Sequence, residues 1–320
     1  MKIFRSLEEL PSDFGPVIAT IGNFDGVHRG HRWVLDQVLA RAHALALPSL
    51  ALTFDPHPVR VLRPHAPHSL ITPLKPRLDL LGTTGLDATL VLPFTPEFSH
   101  LTAEGFARVV LRDALHVQEV HEGEDFRFGY GATVDIHGLA TLGKDLGFTT
   151  HAYAPYVLRR EPVSSSRIRK LIATGRISQV RALLGRAFSV HSTPASGRGF
   201  GTRYTVPTIN LAAYPELLPA NGVYVTTLKV GQETFQGVTN VGDRPTFGED
   251  SFTVETHLLN FHPVELTEST PLELTFFLYL RPEQRWSSPD ALRAQIMKDV
   301  ARTQRFFSLA AQRTPTSRVR

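Results

Sequence analysis

The sequence predicts an α/β unit built on a parallel sheet, followed by a smaller, mostly antiparallel β unit. Three observations predict it. Over the first ~185 residues, short apolar runs alternate with segments of helical apolar spacing, the pattern of βαβ units. Beyond that point, β-branched and aromatic runs are separated only by turn residues, which argues for an antiparallel sheet or small barrel. Between the first apolar run and the first helix lies Gly22-Asn23-Phe24-Asp25-Gly26-Val27-His28-Arg29-Gly30-His31. Strand, glycine-rich turn and helix is how an open α/β sheet builds an anion site, because unpaired N–H groups and the helix dipole meet the ligand there.

The elements follow in order. Candidate strands of the first half are Val17–Ile21, Leu50–Phe54, Ala88–Leu92, Val117–Glu122 and Thr149–Tyr153. Candidate helices are His31–Ala46, Ala103–Leu111 and Ser166–Thr174, with an extended proline-rich loop over Asp55–Pro76 and a close near Leu184-Gly185. In the second half Gly222–Leu228, Phe235–Val241, Phe252–Leu258 and Leu272–Leu280 read as strands. A helix from Ala291 to about Phe307 follows, with Ser288 as N-cap and Pro289 at its first position.

Composition narrows the class. The 320 residues are 42% hydrophobic and 20% charged, ordinary for globular protein and enough for two domains. With no cysteine, disulfides and thiolate metal sites are excluded, which fits a reducing cytoplasm. No apolar stretch approaches the ~20 residues of a membrane span, and no signal peptide is visible at the N-terminus. A net charge of +4 suits anionic small molecules. Without a stripe of interleaved aromatic and basic residues, neither nucleic acid nor membrane is expected as a partner.

Four segments of the first half carry chemistry. His28 and His31 stack on one face of the first helical turn, where they can donate to a polyphosphate or, with Asp25 or His57 as third ligand, share an ion. Asp55-Pro56-His57-Pro58 follows a strand end and holds His57 between two fixed φ angles. Gly123-Glu124-Asp125-Phe126-Arg127-Phe128-Gly129 follows another strand end. Ser164-Ser165-Ser166-Arg167-Ile168-Arg169 caps a helix whose first turn is basic, a conflict with the dipole that an anion would relieve. In the second half, Pro207-Thr208-Ile209-Asn210 reads as a loop that must curl to bring its two hard oxygens to one side. Alternation puts Glu255 on one strand face with Thr253 and His257. No Walker-type phosphate loop exists, so Gly197-Arg198-Gly199-Phe200-Gly201 is the candidate cradle there.

Taken together, Gly22-x-Phe24-Asp25-Gly26-x-His28-x-Gly30-His31, Thr53-Phe54-Asp55-Pro56-His57-Pro58, Gly123-Glu124-Asp125-Phe126-x-Phe128-Gly129 and Ser165-Ser166-x-Ile168-Arg169 resemble the adenylyltransferase module of bacterial bifunctional riboflavin kinase/FAD synthetases. Leu184-Gly185-Arg186, Pro207-Thr208-x-Asn210, Asn240-Val241-Gly242-x-Arg244-Pro245-Thr246-Phe247, Val254-Glu255-x-His257 and Leu280-Arg281-x-Glu283 resemble its flavokinase module. The resemblance implies a Rossmann-like nucleotidyltransferase domain over 1–185, a six-stranded antiparallel barrel with a terminal helix over 186–310, and a disordered basic tail over 311–320. It implies ATP, riboflavin, FMN and FAD as substrates and products, with Mg²⁺. His28, His31 and Arg169 would act on the ATP phosphates, with Gly22, Phe24, Asp25, Gly26, Gly30, Asp125, Ser165, Ser166, Gly199 and Gly201 around the nucleotides. His57, Phe126 and Arg244 would meet the flavin, Thr208 and Asn210 the metal, and Glu255 would be the general base on the riboflavin hydroxyl. Departures fall in the second half, where Ser192 and Thr205 stand at usual glycine positions and 260–265 differs from the family pattern. The alternatives are an adenylyltransferase that has lost its kinase, or a flavin- or nucleotide-binding regulator.

Overall fold

The structure, a computed structural model, describes residues 1–195, 208–243 and 252–313. It divides into two compact units, Met1–Arg167 and Ile168–Arg320. That division falls inside a helix, upstream of Leu184-Gly185, where the sequence changes texture.

The first unit is a parallel six-stranded sheet. Its strands are β1 (Lys2–Phe4), β2 (Val17–Ile21), β3 (Ser49–Asp55), β4 (Ala88–Pro93), β5 (Val117–Gly123) and β6 (Thr149–Tyr153), in the order β1-β4-β3-β2-β5-β6. Helices α1 (Arg29–Leu45), α2 (Leu74–Gly82) and α3 (Ile136–Leu146) join them. Alternate residues of β2 enter two separate cores. Val17, Ala19 and Ile21 pack with Leu50, Leu52 and Phe106 on one face, while Ile18 packs with Leu35, Val38 and Leu81 of α1 and α2 on the other. A sheet covered on both faces needs continuous apolar strands, which is why these runs read so clearly in the sequence.

Several expectations require correction. β1 adds an edge strand, paired in parallel with β4, that its three residues did not announce. Asp55–Pro76 is not wholly extended, since Pro58–Leu62 forms one helical turn capped by His57 Nδ1. The helix from Ala103 widens to π geometry over Ala107–Ala114. Helix α3 lies between two expected strands where no helix is expected; Asp135 caps its first turn and Gly147 closes it in the left-handed region at φ 88°.

The second unit begins with the later part of α4 (Ser165–Ala173) and with α5 (Ile177–Leu184). Its sheet comprises β7 (Phe188–Ser192), β8 (Thr208–Asn210), β9 (Gly222–Val230), β10 (Glu233–Asp243), β11 (Phe252–Leu258) and β12 (Leu272–Arg281), ordered β7-β12-β9-β10-β11-β8 and antiparallel throughout. The two outer strands curl toward each other. Pro194 lies opposite Leu211, the Ala195 N–H donates to the Asn210 carbonyl at 2.9 Å, and the Ala212 N–H donates to the Thr193 carbonyl at 2.8 Å. Inside, the hydroxyls of Thr226, Thr239 and Thr256 run across three strands at 2.7 and 2.9 Å.

Helix α5 packs on β7 and β12, so the segment read as the close of the first half belongs with the barrel. Helix α6 (Pro289–Arg313) starts where Ser288 Oγ accepts the Ala291 N–H at 3.2 Å, as its cap predicts. It runs past Phe307 and takes in the first three residues, 311–313, of the stretch read as a tail. It covers the sheet through Phe306 and Phe307 against Phe277.

Candidate active sites

The strand order reverses direction between β2 and β5, and open α/β sheets bind ligands at the carboxyl ends flanking such a point. Two motifs end there, Gly22–His31 after β2 and Gly123–Phe126 after β5. The pairing of β2 with β5 stops at Ala19 and Val120, so the strands part toward these ends.

The glycine loop is a left-handed turn, with Phe24, Gly26 and Val27 at φ 47°, 88° and 36°. It delivers His28 as the N-cap of α1. The His31 N–H donates to His28 Nδ1 at 3.2 Å, and the His28 N–H donates to His31 Nδ1 at 3.4 Å. Two histidines thus form a reciprocal capping box. Their rings stack at 3.6 Å and 13°, with the Phe24 ring set edgewise against His31 at 5.3 Å. Because each Nδ1 accepts a backbone proton, each neutral ring carries its own proton on Nε2. Gly30 permits this approach, since a Cβ there would sit 3.2 Å from both the His28 ring and the Val163 carbonyl.

The cleft they open onto has a volume of about 280 Å³. Gly22, Phe24, His28, Gly30, His31, Asp125, Phe126 and Ser165 line it, so eight of the expected residues come together. Trp33, Tyr153 and Tyr156 add flat apolar walls. Glu122, which the sequence reading passed over, lies on the wall and is 5% exposed. Burial pushes its carboxyl up to about 8 against the opposing pull of the Ile21 N–H and the Thr20 hydroxyl, and Asp125 pushes the same way as burial.

Other expected residues do different work. Asp25 is buried, with Oδ1 accepting the Thr72 N–H at 2.9 Å and Oδ2 the Ile71 N–H at 3.1 Å. Its own carbonyl accepts the Ser165 hydroxyl at 2.8 Å, tying three loops together. Asp25, Gly26, His57 and Ser166 do not line the cleft. His57 instead packs its ring 4.5 Å from His68. The basic first turn of α4 is balanced from within, because Arg167 pairs with Glu161 at 2.7 Å. Arg169 groups with the second unit, and Gly199, Gly201, Thr205 and Arg244 lie outside the described residues.

Among the described residues, three metal-ligating side chains converge at one place, and it is not the histidine pair. Glu119, His121 and His151 meet on the β5–β6 face. Arg41 holds both Glu119 oxygens, with Nε at 2.9 Å from Oε2, and pulls that carboxyl down to about 2. His121 donates from Nε2 to Glu119 at 3.1 Å and accepts the Tyr153 hydroxyl at 2.7 Å, while burial keeps the ring neutral with a pKa near 4. A guanidinium seated on the carboxylate makes this an ionic hub rather than a metal cage.

In the second unit, strand register assembles the expected set. Glu255 on β11 stands opposite Asn210 on one side and Asn240 on the other, with Thr208 opposite His257. Thr208 and Asn210 are in a strand, not a curled loop, and their two-residue spacing puts both on the face of Glu255. The Thr208 hydroxyl lies 3.4 Å from His257 Nδ1, and Asn240 Nδ2 donates to Glu283 at 3.3 Å. Side-chain oxygens of Thr208 and Asn210 beside a carboxylate are the hard donor set that suits Mg²⁺. Ser192 is extended in β7, and its hydroxyl donates to the Ala212 carbonyl at 3.2 Å, so the side chain is accommodated without backbone strain.

Known proteins align with both units. Residues 11–167 match the FAD synthetase family and residues 184–307 the riboflavin kinase family. The bifunctional riboflavin kinase/FMN adenylyltransferase of Pseudomonas fluorescens is 33% identical over 98% of this chain and 100% of its own length. The protein of the same name from Escherichia coli K12 is 31% identical over 97% of this chain and 99% of its own. A solved structure titled as a macrolide-efflux protein from Streptococcus pneumoniae has a TM-score of 0.82 at 22% identity, covering 94% of this chain and 98% of that one, a likeness of fold. No helix among the described residues is long and apolar enough to cross a membrane. By its two matched modules and its end-to-end similarity to these relatives, the chain belongs to the bifunctional riboflavin kinase/FMN adenylyltransferase family.

Proposed function

We propose that this chain phosphorylates riboflavin to FMN in its second unit and adenylylates FMN to FAD in its first, consuming one ATP at each step. The observation that carries the first assignment is the stacked histidine pair capping α1 at the switch point of the sheet. An FMN phosphate oxygen attacks the α-phosphorus of ATP, and the bond to pyrophosphate breaks. The attacking phosphate is already ionised, so no base is needed. What the site supplies is position and donors for the leaving charge. His28 and His31 offer Nε2–H groups, the first turn of α1 offers backbone N–H groups, and Ser165 offers a hydroxyl at the cleft wall. Asp25 holds the loops that place them. In this reading Phe126 walls the flavin.

The second reaction differs in its proton. The riboflavin 5′-hydroxyl must lose one as it attacks the γ-phosphorus of ATP, and Glu255 is the base that takes it, with ADP leaving. Thr208 and Asn210 would hold Mg²⁺, which neutralises phosphate charge when bound. Asn210 and Asn240 flank Glu255 and orient the row. Residues up to 167 thus carry adenylyl transfer and 184–307 carry phosphorylation, in the reducing cytoplasm that a cysteine-free chain fits.

One assay tests both assignments. The chain is incubated with riboflavin and MgATP, and FMN and FAD are resolved chromatographically. His28→Ala with His31→Ala is expected to stop FAD while FMN accumulates. Glu255→Gln is expected to stop FMN from riboflavin while FAD still forms from added FMN. Loss of both products in either folded variant would defeat the two-site assignment.

A further inference from the structure

Glu122 is a carboxyl in an unusual position. It sits at the end of β5, where β2 and β5 part, and is 95% withdrawn from solvent, its exposure being 5%. Oxygen Oε1 is used twice, accepting the Ile21 N–H and, at 3.1 Å, the Thr20 hydroxyl. It therefore takes the place of a ladder bond that the parting strands no longer make. Oxygen Oε2 has no hydrogen-bond partner among the described residues, and Glu122 makes no ion pair there. Nor is Oε2 one of the fully enclosed atoms left without a partner. It opens to the cleft, whose wall Glu122 forms.

The surroundings say what such an oxygen can do. Asp125 from the loop after β5, His28 and His31 at the start of α1, Tyr153 from β6 and Tyr156 just beyond it are the other titratable groups on the same cleft, while β2 contributes only the neutral donors of Thr20 and Ile21. No lysine or arginine lines it. A second carboxylate beside Asp125 would repel any phosphorylated ligand. A carboxylic acid does not, and its O–H is a strong donor. The upward push on this carboxyl, caused first by burial, agrees with the protonated form at neutral pH.

Donors for phosphate are gathered at the α1 end. The cleft that Glu122 lines is also walled by Phe126, Tyr153 and Tyr156, surfaces suited to a flat ring. We infer that Glu122 is a specificity-determining residue whose Oε2 hydroxyl donates a hydrogen bond to a ring nitrogen or carbonyl oxygen of the heterocycle bound in this cleft. The inference rests on the adenylyl-transfer reading of the site. Both substrates of that reaction, adenine nucleotide and flavin, carry such acceptors.

The test measures binding of MgATP and of FMN separately by calorimetry, for the wild-type chain, Glu122→Gln and Glu122→Leu. Leu has no donor, so affinity for one of the two ligands is expected to fall about tenfold, the usual consequence of leaving a buried acceptor unpaired. The ligand that weakens identifies the heterocycle. Gln keeps an N–H donor and is expected to restore part of the loss. Wild-type affinity for that ligand is expected to decline as pH rises through about 8, and the Gln variant to lose that decline. In the wild type, infrared spectroscopy is expected to show a protonated-carboxyl band that disappears over the same range and shifts on ligand binding, a readout that needs no variant. Unchanged affinity of the Leu variant for both ligands, or a protonated band indifferent to ligand, would overturn the inference. A wild-type chain that binds both ligands but makes no FAD would instead overturn the parent reading, with the affinities still deciding the role of Glu122.

Discussion

Replacing Asp25 with Ala separates a structural from a ligand-binding role for the aspartate of the glycine loop. In the structure each carboxylate oxygen accepts one backbone N–H, from Thr72 at 2.9 Å and Ile71 at 3.1 Å, with the residue 1% exposed. Truncation removes two charge-assisted bonds and leaves two buried donors unpaired. At roughly 1.5–3 kcal/mol for each bond to a charged group, the loss is about 3–6 kcal/mol. A unit of this size loses roughly 2–4 °C of melting midpoint per kcal/mol, so the first unit should melt about 10 °C lower. The assay is thermal unfolding followed by calorimetry, where the two units can melt separately, alongside FAD formation below the transition. FAD formation should fall with the loop, while FMN formation in the second unit persists. An unchanged melting profile with abolished FAD formation would refute the reasoning and return Asp25 to the ligand.

Two more predictions concern the same unit. Glu119 titrates near 2 rather than 4.5 because Arg41 holds it ionised, and His121 near 4 rather than 6.5 because burial keeps it neutral. For both, the unfolded chain binds more protons in acid. Stability is thus fully present above about pH 6.5, falls through the His121 range toward 4, and loses the Glu119 contribution as pH drops through about 2. Urea titrations from pH 7 to 3 should show this slope, flattened in a Glu119→Gln, His121→Phe double variant. Gly30→Ala should place a methyl 3.2 Å from the His28 ring and the Val163 carbonyl, disturbing the stacked pair. A displacement of a few tenths of an ångström should cost FAD formation about tenfold to a hundredfold, with stability reduced by about 1 kcal/mol and FMN formation unaltered.

The legibility of the chain tracked how strongly each element is over-determined. Val17–Ile21 and Ser49–Asp55 are buried on both faces, so only apolar residues serve and the runs stand out. Strands β1 and β8 have three residues each, too few for any period to register. Helix α3 is legible only through its ends, the Asp135 cap and the terminal Gly147, because glycines at 138 and 143 dilute its apolar spacing. The glycine loop and the second strand-end motif were legible because cleft walls depend on local sequence after a strand. Asp25 was not, because its partners at Ile71 and Thr72 are distant in sequence and are backbone groups that no motif encodes. Glu122 was hidden by its place in a strand that already mixes Gln118, Glu119 and His121 with two valines, where one more carboxylate reads as a solvated strand end. Register alone shows that Thr208 and Asn210 share a face with Glu255, since strand β8 is recognisable only beside β11.

The meeting of the outer strands at Pro194 and Leu211 has a consequence for how the protein behaves at high concentration. A sheet that ends in open backbone donors and acceptors is a template for another chain, and self-association or strand exchange begins there. In the second unit the terminal strands spend those groups on each other, through Ala195 to Asn210 and Ala212 to Thr193. The short β8, which would be a weak terminus on its own, is thereby held on both sides. Bonded on both sides at Asn210, β8 keeps its register, so Asn210 is protected against the one-residue slip that would turn its side chain away from Glu255.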